Sequence, residues 1–164
     1  MIENNLISTS LQKWNEHNKR LLSLVEKLSE EQLEEEIALG KNTGKYLLGH
    51  LAAINNHIIV LFGLAKNPQP ELDDIFLFTP DKTVAHNYTV AMLKQILLES
   101  IQGLDEKIKG LTEAEWLDRH MNVSDEDFKT QTHRNKINVL INRTLHLAYH
   151  LGQLSLLKQK PYEN

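Results

Sequence analysis

The chain contains no cysteine in its 164 residues. Disulfide bonds, thiolate metal ligands and a protein thiol nucleophile are therefore excluded. Any reactive sulfur in its chemistry would have to arrive with a substrate.

Targeting signals and binding patches for large partners are also missing. No apolar run approaches the roughly 20 residues that span a bilayer, and the start of the chain lacks the basic and apolar regions of a signal peptide. The net charge of −4 gives no general attraction for nucleic acid, and no basic cluster with interleaved aromatic residues is present. We expect a cytoplasmic protein that binds neither membrane nor nucleic acid.

The composition is that of one globular unit. With 41% hydrophobic and 24% charged residues, the composition is ordinary for a folded protein. The chain is also long enough to bury a hydrophobic core that is stable without added cross-links. We predict a single domain over residues 1–164.

Four long segments have the apolar spacing of helices. Their predicted bounds are about 4–28, 43–66, 89–109 and 135–158. The fourth is apolar nearly all round, which predicts burial among the others. Capping boxes at residues 29–32 and 112–115 indicate further short turns. The prediction is an all-α, up-down-up-down four-helix bundle with a longer loop between the second and third helices.

Three histidines are the most informative residues. His146 and His150 are four positions apart on the fourth helix, so their imidazoles lie one turn apart on one side. His50 lies in a similar apolar run of the second helix. Three neutral imidazoles facing one point would form a divalent transition-metal site with at least one open position.

Polar residues on an otherwise apolar helix need partners. Asn142, His146, His150 and Gln153 form one polar strip on the fourth helix, and burying each such group without a partner costs about 1–3 kcal/mol. The alternative is that the histidines are partly exposed or separately hydrogen-bonded. The presence of His50 on a second helix favours the metal site.

Further residues are candidates for a substrate pocket. His57 follows His50 by seven positions, roughly 10 Å along the helix, which is too far to bind the same ion. It is either a core or a pocket-lining residue. The general base is either His57 or an acidic residue of one of the loops. Asn18 either fixes helix register or points into the cavity. Asn142 and Gln153 either support the histidines or tip outward. Arg143 either binds an anionic substrate or is solvated.

Two other kinds of site are disfavoured. Di-iron bundles use Glu-x-x-His pairs, and none of the eight histidines has a glutamate three positions before it. Serine-histidine-aspartate hydrolysis lacks the Gly-x-Ser-x-Gly turn. A mononuclear three-histidine site is the remaining prediction.

At these residues the chain resembles the DinB-like superfamily, which includes metal-dependent hydrolases of the YfiT type and thiol-dependent S-transferases. The resemblance rests on Trp14 and Asn18, on Leu-Ser-Glu-Glu-Gln-Leu at 28–33, on Thr-Gly-Lys-Tyr-Leu-Leu-Gly-His-Leu at 43–51, and on His-Leu-Ala-Tyr-His-Leu-Gly-Gln-Leu at 146–154. It implies a four-helix bundle that holds one divalent ion, commonly zinc or nickel, at one end.

Three functional hypotheses follow. The first is a metal-dependent enzyme in which His50, His146 and His150 hold the ion and activate water, for hydrolysis, or a low-molecular-weight thiol, for S-transfer to a small-molecule substrate. The second is a stress-related bundle that binds a metal or small ligand without turnover. The third is a structural or interaction module whose histidines are only core groups. The apolar patch at residues 75–78 is either a homodimer contact or a cap on the bundle.

Overall fold

The computed structural model describes the backbone of residues 2–159 and the side chains of residues 5–158. Within that part of the chain every regular element is helical and no strand is present. The elements are α1 (Ile2–Lys27), α2 (Glu30–Glu34), α3 (Gly44–Leu61), α4 (Glu71–Phe76), α5 (Val90–Ile108), α6 (Glu113–Leu117), α7 (Asp125–Thr130), α8 (Lys136–Ser155) and a final 3₁₀ turn (Leu156–Gln159).

The long helices start where capping residues precede apolar runs. The side chains of Thr43, Thr89 and Asn135 each accept a hydrogen bond from a backbone N–H in the first turn of α3, α5 and α8. Such caps satisfy N–H groups that have no partner within the helix. Both predicted capping boxes are also present, opening α2 and α6.

Helix α3 ends earlier than the sequence pattern predicts. It stops at Leu61 rather than near residue 66, because Gly63 adopts a positive φ of 72°. The N–H of Gly63 then donates to Val60, and that of Leu64 donates to Ile59. This pair of hydrogen bonds is a Schellman ending, for which glycine has the lowest backbone cost.

Four long helices surround one contiguous apolar core. The closest pairs are α1 with α8 and α3 with α5, and contacts between α3 and α8 and between α1 and α5 link the two pairs. The prediction of an all-α fold is therefore confirmed. The up-down-up-down order stays a prediction. None of the helices in the described ranges is long and apolar enough to cross a membrane.

The predicted burial of α8 on all sides is wrong for one face. Leu145 is 64% exposed and Tyr149 is 63% exposed. Helix α8 packs mainly on α1, and these two residues, one turn apart, lie on a side that no other described helix covers. The apolar periodicity identified the helix correctly but did not show how many neighbours it has.

Two short helices occur where no helix was predicted. Helix α7 lies in the polar stretch before α8, and α4 lies in the loop between α3 and α5 and packs against α3. In α4 the ring of Phe76 is fully buried, whereas Phe78, just beyond it, is 70% exposed. The patch at 75–78 thus covers the bundle with Phe76, and its role as a dimer contact stays a prediction.

Candidate metal centre

The centre is formed where α3 faces α8. Thr43 starts α3, and the Asp81 carboxylate holds Thr43 by accepting from its backbone N–H at 2.7 Å and from its hydroxyl at 2.9 Å. Seven residues later, His50 reaches toward α8 with Tyr46 stacked beside it, at 6.3 Å between ring centroids and 12° between planes. The helix start and the stacked ring together limit the orientations available to His50.

Three imidazoles meet at this point. The Nε2 atom of His146 lies 3.2 Å from Nε2 of His50 and 3.0 Å from Nε2 of His150. The potential ligand atoms of all three residues lie within 4.8 Å of one another. The structure therefore brings the three predicted ligands together from two helices that are 96 residues apart along the chain.

The far nitrogens of two rings fix where their protons lie. Nδ1 of His50 is 2.9 Å from the carbonyl oxygen of Phe76, and Nδ1 of His150 is 2.7 Å from Oε1 of Gln153. Since both oxygens can only accept, both Nδ1 atoms carry the hydrogen. The Nε2 atoms of His50 and His150 consequently present lone pairs to the centre.

Protons alone do not satisfy His146. A hydrogen on its Nε2 can be donated to only one of the two neighbouring nitrogens, which leaves the lone pair of the other nitrogen without a donor. Its Nδ1 atom is buried without a partner. Burial, together with its charged neighbours, lowers the pKa of His146 to about 4, so a shared extra proton is disfavoured at neutral pH.

A divalent cation fits this arrangement. Zinc–nitrogen bonds of about 2.0–2.1 Å at tetrahedral angles place adjacent ligand nitrogens roughly 3.3 to 3.4 Å apart, close to the observed 3.0 and 3.2 Å. The ion would use the three lone pairs that otherwise repel one another. His50 and His146 are only partly buried, so the centre is not sealed from solvent.

Gln153 supports the centre rather than pointing away from it. Its carbonyl oxygen accepts from His150, and its amide donates to the Tyr149 hydroxyl at 3.0 Å. Hydrogen bonds of this kind orient a metal-binding imidazole and raise its basicity.

His57 lies on α3 in a separate hydrogen-bonded group. Its Nε2 is 2.8 Å from Oδ2 of Asp73 in α4, and the same oxygen accepts from the amide of Asn67 at 2.8 Å. The imidazole is 44% exposed, whereas the Asp73 side chain is 12% exposed. A buried carboxylate thus holds a solvent-accessible imidazole in one orientation.

The two asparagines of the predicted pocket have local partners. Asn18 is buried in α1 and donates to the Trp14 carbonyl of its own helix at 3.2 Å. Asn142 is exposed, and its amide donates to the Asn138 carbonyl at 2.9 Å. Their contact with a substrate stays a prediction.

Gly49, next to His50, is a position where one methyl group should disturb the centre. A Cβ there would lie 2.6 Å from ring atoms of Phe76, whose carbonyl orients His50. We expect Gly49→Ala to cost about 1–3 kcal/mol of stability and to weaken zinc binding about tenfold to a hundredfold.

Thermal unfolding and competitive zinc titration measure both effects. Gly103→Ala is the matched control, because a Cβ at that helical position meets nothing within 4 Å. A Gly49→Ala protein that unfolds and binds zinc like the control would show that Phe76 does not hold His50 in place.

Two supporting groups had no signal in the sequence. The Phe76 carbonyl is a backbone atom, so residue type carries no information about it. Asp73 lies in an acidic stretch of α4 that has no helical period and no predicted element. Only the packing of α4 on α3 brings both groups to the histidines.

Comparison with known proteins agrees with this geometry. The family model of the DinB superfamily matches residues 13–154, which include all three histidines. A search of curated proteins finds no match to the chain. The match therefore covers most of the chain and carries no specific activity.

Proposed function

Because this chain belongs to the DinB superfamily and its three histidines share one centre, we propose that it is a divalent-metal-dependent enzyme. The observation that carries the proposal is the convergence of the three imidazoles on one point. Two of these rings are oriented by oxygen atoms that accept a hydrogen bond from Nδ1, on the side of the ring away from the centre. Three neutral ligands leave the full charge of the ion for chemistry.

The site residues have two proposed roles, metal binding and proton transfer. His50, His146 and His150 would hold the ion, for which zinc and nickel are the proposed identities. A divalent ion bound there supplies Lewis acidity that makes water or a low-molecular-weight thiol nucleophilic at neutral pH. The chain has no cysteine, so in the thiol reaction the sulfur belongs to a cosubstrate. The proposed reactions are hydrolysis and S-transfer on a small molecule.

His57 is the proposed general base. Since the Asp73 carboxylate can only accept, Nε2 of His57 carries the hydrogen, and Nδ1 is free to take a substrate proton. His57 lies seven residues after His50 on α3, so in this proposal the substrate extends from the metal along the helix toward His57. A His57→Gln protein should keep its metal and lose about a hundredfold or more in kcat.

Activity of the metal-loaded protein tests the proposal. Zinc- and nickel-loaded protein should turn over either esters and amides with water, or alkylating electrophiles with added thiols. His146→Ala should reduce that rate at least a hundredfold, while His133→Ala, which changes an exposed histidine outside the centre, should not. Full metal loading with no turnover in either panel would instead favour a binding protein without catalysis.

A further inference from the structure

Arg143 lies on α8 one turn before His146. Residues three positions apart share a helix face, so Arg143 is on the side that carries the histidines. Its side chain is partly buried, and this burial lowers the pKa of its guanidinium group. Arg143 is therefore not an ordinary solvated arginine.

The guanidinium group has no counter-charge. Among the described residues it forms no ion pair and no hydrogen bond. Lys136, the buried lysine of the same helix, shows the usual arrangement: its ammonium group contacts the Asp118 carboxylate at 3.3 Å and the Arg119 carbonyl at 3.0 Å. Taking a cation partly out of water without such partners is unfavourable, so Arg143 has an unused capacity to bind an anion.

No negatively charged group contacts the three histidines. Among the described residues their hydrogen-bond partners are one another, the Phe76 carbonyl and the Gln153 amide, and no carboxylate is among them. The groups that hold the far ring nitrogens are a carbonyl and an amide, both neutral. With a divalent ion bound, the site would be strongly positive.

We propose that Arg143 binds an oxyanion of the substrate, a carboxylate, phosphate or sulfonate group, while the reacting end of the same molecule lies at the three histidines. A guanidinium group presents parallel N–H donors that match two oxygens of such a group. The inference rests on the proposed function, and it restricts the substrates to anionic small molecules.

Matched thiols test this specificity by binding alone. Calorimetry on zinc-loaded protein compares mercaptoacetate with mercaptoacetamide, and mercaptopropionate with its amide; each pair differs in charge and not in the thiol. In the wild type, at least one acid should bind ten times more tightly than its amide or better. In Arg143→Met this ratio should fall about fivefold or more below that of the wild type, to the preference that the zinc ion alone gives. Arg143→Lys keeps the positive charge but lacks the parallel N–H donors of a guanidinium group, so it should retain part of the preference for the acid.

Three controls keep the outcomes separate. Elemental analysis and helical circular dichroism show whether each variant is folded and carries zinc. Arg20→Met removes an exposed arginine of α1 and should leave the ratio unchanged. Equal binding of acids and amides to the zinc-loaded wild type, or a ratio that survives in Arg143→Met, would overturn the role of Arg143 and leave the metal site intact. Failure of the wild type to bind zinc at one equivalent would overturn the proposed function and this inference together.

Discussion

The variant His50→Ala is expected to bind no stoichiometric metal. It removes one of three ligands and the only one supplied by α3, so the remaining pair on α8 would hold the ion with two imidazoles one turn apart. We expect the affinity for zinc to fall at least a hundredfold, because loss of a group that merely supports a ligand already costs tenfold to a hundredfold.

Thermal unfolding should report the same loss. An ion that binds only the folded protein, at a thousand times its dissociation constant, stabilises that protein by about 4.1 kcal/mol. For a chain of this size that corresponds to a rise in Tm of roughly 8–16 °C. Wild type should show this rise on addition of zinc, and His50→Ala should show almost none.

The matched control is His133→Ala, which changes an exposed histidine in the loop before α8. It should bind one equivalent of metal and show the full rise in Tm. Metal-free wild type and metal-free His50→Ala should have equal helix content. That result would show that the variant loses metal because a ligand is missing and not because the protein is unfolded. One equivalent of metal retained by His50→Ala would reject the three-histidine centre.

Trp14 is expected to give the largest loss of stability in the core. Its ring in α1 is 1% exposed, and its indole N–H donates to Oδ1 of Asp105 in α5 at 3.1 Å. Trp14→Ala would leave a cavity the size of an indole, for which the usual cost is about 3–5 kcal/mol. The expected fall in Tm is roughly 6–20 °C.

Trp14→Phe separates packing from hydrogen bonding. It keeps most of the apolar volume but removes the donor, so it should cost less, about 1–3 kcal/mol for the unpaired acceptor. Because burial raises the pKa of Asp105 and the indole N–H opposes that rise, the phenylalanine variant should raise this pKa further, which NMR titration can follow. An alanine variant as stable as the phenylalanine variant would show that the core closes around the cavity.

The sequence by itself determined most of the helices. Apolar spacing identified all four long helices, and their predicted starts lie within two residues of the observed ones; the two capping boxes identified the starts of α2 and α6. These features are local: periodicity and caps act within one or two turns, so residue order is sufficient to predict them. Helix α1 is an example, because Trp14, Asn18 and Leu21 lie on one face of it at helical spacing and all three are buried.

The sequence also identified which histidines could share an ion. The four-residue spacing of His146 and His150 fixes their common face without any tertiary information. Whether His50 joins them depends on how α3 packs against α8. The sequence indicates that packing only through the apolar face of each helix. Only the folded structure gives the distances from Nε2 of His146 to Nε2 of the other two histidines.

Tertiary structure alone decided which groups surround those histidines. The Phe76 carbonyl, the Asp73 carboxylate and the burial of Arg143 all result from contacts between distant segments. Tertiary structure also decided that one face of α8 is exposed. The apolar residues of α8 predict that the helix is buried, but they do not predict how many helices surround it. The physical reason is that a helical period reports which side of a helix is apolar, whereas burial and charge pairing depend on what packs against that side.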